Sequence, residues 1–78
     1  MRKRVLEMLN EIRPEFDFES SQDYIEDGYL DSFDITTLVI ELENEFGVII
    51  NGLDVSEENF QTADAMCALV EKSEKRII

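Results

Sequence analysis

An all-α fold, a small four-helix bundle of three longer helices and one short one, is what the sequence predicts, on three observations. Apolar residues recur at three- and four-residue spacing in three separate stretches. Helix punctuation falls between those stretches, at Pro14, Asp31-Ser32, Gly47 and Thr62. Only one short β-branched run, Val48-Ile49-Ile50, competes with helix, and no second run is in sight to pair with it. At 78 residues the chain suffices for a single small unit, residues 1–78.

The first helix is expected over Arg2–Arg13. Val5, Leu6, Leu9 and Ile12 share its apolar face, with Glu7 and Glu11 turned away. Pro14 ends it, because a proline disfavours helical backbone at the residue before it. Residues 15–31 form a long acidic connection, unusual in so small a fold. Phe16, Phe18, Tyr24 and Ile25 are expected to pin it to the core, and Asp27-Gly28 marks a turn.

The second helix is expected from about Ser32 to Phe46. Leu38, Leu42 and Phe46 make an i, i+4, i+8 row flanked by Ile35 and Val39. Glu41, Glu43 and Glu45 cannot all share a buried face, so part of this helix presents acid to solvent. Gly47 follows as a C-terminal stop. Val48-Ile49-Ile50 then reads as an extended buried connection closed by Asn51-Gly52. Ser56 is expected to cap a single helical turn through Phe60. Thr62 is expected to cap a last helix over Ala63–Lys75, with Ala65, Met66, Leu69 and Val70 inward and Lys72, Lys75 and Arg76 at its C-terminal end.

Charge narrows the function. The net charge is −12, and the seven basic residues lie at the ends: Arg2, Lys3, Arg4, Arg13, Lys72, Lys75 and Arg76. Sixteen acids and no Lys or Arg occupy Glu15–Glu71. A field of one sign repels nucleic acid and anionic membrane surfaces and attracts basic protein surfaces; self-repulsion at this charge favours a monomer. No histidine is present, which removes the commonest general base and metal ligand. The lone Cys67 has no partner for an internal disulfide and sits in an apolar helical stretch, as a small core residue does. Glu7 interrupts the apolar run that a secretory signal needs after Arg2-Lys3-Arg4, and no segment is long and apolar enough to span a bilayer, so a cytoplasmic protein is expected. Calcium binding by residues 17–28 fails on spacing. Asp17, Glu19 and Ser21 could begin an EF-hand series, but Gln22 stands where glycine is required.

Ser32 is the one residue whose setting suggests work. Serine and aspartate at a helix start are explained by capping alone. A nucleophilic serine is excluded, since it needs a base and an oxyanion site, and neither histidine nor an internal lysine is available. No Gly-rich loop precedes it to cradle a nucleotide. Attachment by another enzyme remains. It demands only exposure, a fixed direction and nearby recognition features, and a helix N-terminus tolerates a phosphodiester. No catalytic residue and no metal site are expected in the chain itself.

Asp31-Ser32-Phe33-Asp34 resembles the Asp-Ser-Leu signature of acyl carrier proteins, in which the serine bears 4′-phosphopantetheine. Leu38-Val-Ile-Glu-Leu-Glu-Asn-Glu-Phe46 is similar to that family's second helix. Val48-Ile49-Ile50 and the Glu58-Asn-Phe60, Thr62-Ala-Asp-Ala stretches follow in the family's order, so the resemblance spans roughly residues 5–72. It implies a carrier rather than an enzyme, with 4′-phosphopantetheine attached covalently at Ser32. It also implies recognition by partners through Asp31, Phe33 (where the family usually has leucine), Asp34, Ile40 and Glu43. The implied partners are a phosphopantetheinyl transferase, an acyl- or aminoacyl-loading ligase and downstream acyl-transfer enzymes with basic docking surfaces. Thr37 and Glu41 differ from fatty-acid carriers, and the Glu-Leu-Glu-Asn and Asn-Phe-Gln-Thr runs look more like carriers loaded by adenylating ligases, D-alanyl carriers among them. The alternative from a different class is an acidic helical interaction module, which accounts for the charge and the helices but gives Ser32-Phe33 no reason to stand together.

Overall fold

A computed structural model describes residues 1–77. The chain folds as three α-helices, α1 (Arg2–Ile12), α2 (Ser32–Phe46) and α3 (Ala63–Lys72), with a two-stranded antiparallel ladder of β1 (Val48–Ile49) and β2 (Glu74–Lys75). Two 3₁₀ turns, Gly52–Asp54 and Glu57–Phe60, lie between β1 and α3. No described helix is long and apolar enough to cross a membrane.

α1 buries Val5, Met8 and Leu9, while Leu6 and Ile12 pack half-buried at the margin. Met8 replaces Leu6 on the innermost line because Val5, Met8 and Leu9 lie at i, i+3 and i+4. α2 keeps both of its expected ends. Its first turn is closed by Asp31, and Gly47 follows in the left-handed region at φ 63°, its N–H donating to the Glu43 carbonyl. Leu38 and Leu42 are fully buried, as are Phe60, Ala63 and Met66. Burying a leucine stabilises by about 1.5–3 kcal/mol, so this row, and not the intrinsic helix preference of a stretch carrying two threonines and a valine, holds α2 in place.

The 15–31 connection is pinned as expected, and by more than the expected residues. Phe18 and Tyr24 are buried, with Phe16 and Ile25 half-buried. Tyr29 stacks on Phe16 at 4.4 Å between ring centroids, and Phe18 meets Tyr24 edge to face at 4.9 Å. Leu30 is also buried. The Tyr24 hydroxyl donates to the Phe18 carbonyl at 2.9 Å and accepts from the Ala63 amide at 3.2 Å. The Tyr24 amide donates to the Gln61 carbonyl at 2.8 Å. One tyrosine therefore ties the loop to the start of α3, and its burial raises its pKa above the ordinary 10.0.

Five sequence expectations are corrected. Val48-Ile49 is a strand after all, paired Val48 with Lys75 and Ile49 with Glu74, and only Val48 and Ile50 of the three are buried. The last helix ends at Lys72, not Lys75. The Ser73 hydroxyl donates to the Leu69 carbonyl at 2.7 Å, the backbone turns extended there, and the next residues find ladder partners in β1. Two 3₁₀ turns stand where one short helix was expected. Ser56 occupies the cap position of the second without a side-chain hydrogen bond, and Ala65 is only half-buried. Thr62 does cap α3, its hydroxyl accepting from the Ala65 amide at 3.0 Å. Cys67 packs half-buried against the core, and burial pushes its thiol above the ordinary 9.0.

Candidate functional site

The site is the first turn of α2. Asp31 is its cap, in extended backbone, and Ser32 is the first helical residue. Asp31 Oδ1 accepts the Asp34 amide at 2.9 Å, while Asp34 Oδ2 accepts the Asp31 amide at 3.1 Å. This reciprocal box satisfies two N–H groups that a helix start would otherwise leave without partners. The chain enters helix at Asp31 because the carboxylates at either side of Ser32 and Phe33 are both acceptors for it. The two residues between them need no capping role and point away.

Ser32 is exposed, and its hydroxyl makes no hydrogen bond to another described residue. Its carbonyl accepts from the Thr36 hydroxyl at 3.1 Å, and the Phe33 carbonyl from the Thr37 hydroxyl at 3.3 Å, so both threonines bond back onto the first turn. Phe33 is 80% exposed. Ile40, two helical turns on, is 56% exposed, and the i, i+7 spacing puts it on the same side of α2 as Phe33.

The other expected recognition residues are engaged within the chain. Asp34 is buried. Its Oδ2 accepts from Arg13 Nε at 3.0 Å and from the Asp31 amide, and Arg13 Nη2 lies in ion-pair contact with it at 3.0 Å. Glu43 is half-buried, and its Oε2 accepts the Ile50 amide at 2.9 Å, fastening the end of α2 to the segment after β1. Asp31 alone of the three acids is exposed. The hydrogen bond from the Asp34 amide, aided by the Arg13 charge, holds its carboxyl below the ordinary 3.8. Hydrogen bonding to Asp34 likewise raises the pKa of the Arg13 guanidinium.

Arg13 is the residue that sequence reasoning missed. It sits just beyond α1, and its Nη2 also lies 3.6 Å from Asp31 Oδ2, with Nη1 3.7 Å from Glu15 Oε2. No spacing rule joins residue 13 to residues 31 and 34. The available signal was chemical: one arginine set directly before a long stretch with no other cation.

Among the described residues no side chain hydrogen-bonds the Ser32 hydroxyl, and no group of three or more potential metal ligands gathers. A cleft of about 490 Å³ opens between α1 and residues 16–19, lined by Arg2, Lys3, Leu6, Phe16 and Phe18 among others, and none of residues 31–34 reaches it. The arrangement offers an accessible hydroxyl in a fixed direction, flanked by one exposed carboxylate and one exposed aromatic ring. It can accept a group from an enzyme that brings its own base. Comparison with known proteins adds no relative: no family model matches the chain, and neither a curated protein nor a solved structure matches it.

Proposed function

We propose that this chain is a stand-alone acyl carrier protein, folded as the short four-helix bundle of that family, with 4′-phosphopantetheine attached through Ser32. The observation that carries the reading is the exposure of Ser32 at the first position of a rigidly capped helix, beside an exposed Phe33 and between two carboxylates. A serine kept only for capping would have its oxygen turned onto an amide, and here Asp31 does that work. The residues present fit the group. The hydroxyl has no protein partner to surrender, and the turn's positive dipole end tolerates a phosphodiester.

Once attached, the arm supplies a terminal thiol that carries an acyl or aminoacyl group as a thioester. The chain's own residues do the rest. Ser32 fixes the point and direction of attachment. Asp31, Phe33 and Ile40 form a mixed acidic and apolar docking face for a basic transferase, a loading ligase and acyl-transfer enzymes. Asp34 and Glu43 hold α2 in shape behind that face. The net charge of −12 steers basic partners to it, and salt weakens the encounter, as suits a protein that must leave each partner. Nothing in the chain performs catalysis in this reading, and its setting is the cytoplasm, where coenzyme A serves as the donor.

Incubation with coenzyme A and a broad-specificity phosphopantetheinyl transferase, read by intact mass, tests this. The expected result is one phosphopantetheine increment on the wild type and none on Ser32→Ala. An unchanged wild-type mass, with a known carrier modified in the same tube, overturns it.

A further inference from the structure

Arg13 is unlike the other cations of the chain. Arg2 and Arg4 make ion pairs with exposed acids such as Asp64, Glu19, Glu7 and Glu11, of the surface kind that contributes little. Arg13 instead donates Nε–H to a single oxygen, Asp34 Oδ2, with Nη2 also 3.0 Å from it as an ion pair, on a side chain only 12% exposed. That oxygen also accepts the Asp31 amide, so it takes two hydrogen bonds besides the ion-pair contact. The same Nη2 faces Asp31 Oδ2 at 3.6 Å. The guanidinium therefore spans both ends of the capping box that encloses Ser32 and Phe33, and it joins the end of α1 to the start of α2.

We infer that Arg13 is a positioning residue for group attachment at Ser32, locking the first turn of α2 and offsetting the charge of the two carboxylates beside the accepting hydroxyl. This rests on the carrier reading of Ser32. In the attachment step the Ser32 oxygen forms a bond to the pantetheine-side phosphorus of coenzyme A. The pyrophosphate P–O bond breaks, adenosine 3′,5′-bisphosphate leaves, and the hydroxyl proton passes to a base of the transferase. The product places a phosphodiester anion between Asp31 and Asp34. With Arg13 the two carboxylates are half-compensated; without it three negative charges meet in one helical turn, which the helix dipole alone cannot balance. The fork matters as well as the charge. A lysine ammonium is a point charge on a flexible stem and cannot donate to Asp34 from one edge of a rigid plane while facing Asp31 from the same plane.

The test is steady-state kinetics of phosphopantetheine attachment from coenzyme A to the full chain, comparing wild type, Arg13→Gln and Arg13→Lys below their melting temperatures, with kcat and the KM for the carrier read separately. Positioning is lost in the chemical step, so kcat is expected to fall roughly ten- to a hundredfold in the glutamine variant, and to be only partly restored by lysine. KM is expected to hold or fall, because removing a cation makes the docking face more acidic toward a basic enzyme. A residue with a merely structural role leaves kcat of the folded variant untouched. Should Arg13→Gln not fold, Arg13→Lys alone decides, with a reduced kcat supporting the inference and an unchanged kcat overturning it. A modified wild type with an equally fast glutamine variant overturns this inference alone; an unmodified wild type overturns the carrier reading as well.

Discussion

The two ends of α2 are held by different physics. At its start, side chains do the holding: two carboxylates cap each other's backbone amides, and Arg13 reaches in from α1 to pin them. At its end, backbone does most of it. Gly47 turns left-handed, the Arg76 amide donates to the Gly47 carbonyl at 2.8 Å, and β2 pairs with β1 immediately beyond. Side-chain capping leaves the residues between the caps free to face solvent, and Ser32 and Phe33 do so. At the clamped end Glu43 is used on the Ile50 amide and Glu45 pairs with Arg4. The two ends thus differ in what holds them: side chains at the start, backbone at the end.

Breaking the start has the larger expected effect. Asp34→Ala removes the acceptor of two hydrogen bonds at once and leaves Arg13 without its closest partner, so the loss of stability should be about 1–3 kcal/mol. Urea unfolding measures the total. Amide exchange should show the first turn of α2 opening while the β1–β2 ladder stays protected. Uniform loss of protection through both ends contradicts the division drawn here.

Breaking the end costs less and leaves the site alone. Gly47→Ala forces a side chain into the left-handed region, at about 1 kcal/mol, although a Cβ there meets no atom within 4 Å. Urea unfolding checks the cost. Attachment at Ser32 should proceed at the wild-type rate, and a slowed rate would show that the two ends are coupled.

The smallest effect is a matter of pH. Folding lowers the Asp31 pKa, through the Asp34 amide first and Arg13 third, so folding is favoured where the carboxylate is ionised. That stability is fully present above the ordinary 3.8 and is lost as pH falls through the lower folded value. Asp31→Asn should flatten this acid limb of the stability profile, in thermal melts below about pH 4, and leave the neutral region unchanged in slope.

What was legible in the sequence follows the same division. The bounds of α1 and α2 were readable because Pro14 and Gly47 act locally, and Asp31-Ser32 announced the helix start by the same local rule. The β1–β2 ladder was not readable. Glu74 and Lys75 are polar, two residues long, and continue a charge pattern that also suits a helix end. Only the placement of β1 beside them decides between the two, and that is a long-range fact. Tyr29 was missed for a similar reason, since its stacking on Phe16 depends on how the loop closes. At the site, Ser32 and Phe33 lay in the pattern itself, but the inward turn of Asp34 and Glu43 did not. A helix's acidic residues look alike in sequence until an arginine from another element, or an amide beyond the next turn, claims one of them.

The most direct test of the whole account is localisation of the added group after incubation with coenzyme A and transferase, by fragmentation of the peptide that contains residues 31–34. The account predicts a single phosphopantetheine on Ser32. Its attachment at another residue, or none at all, contradicts it.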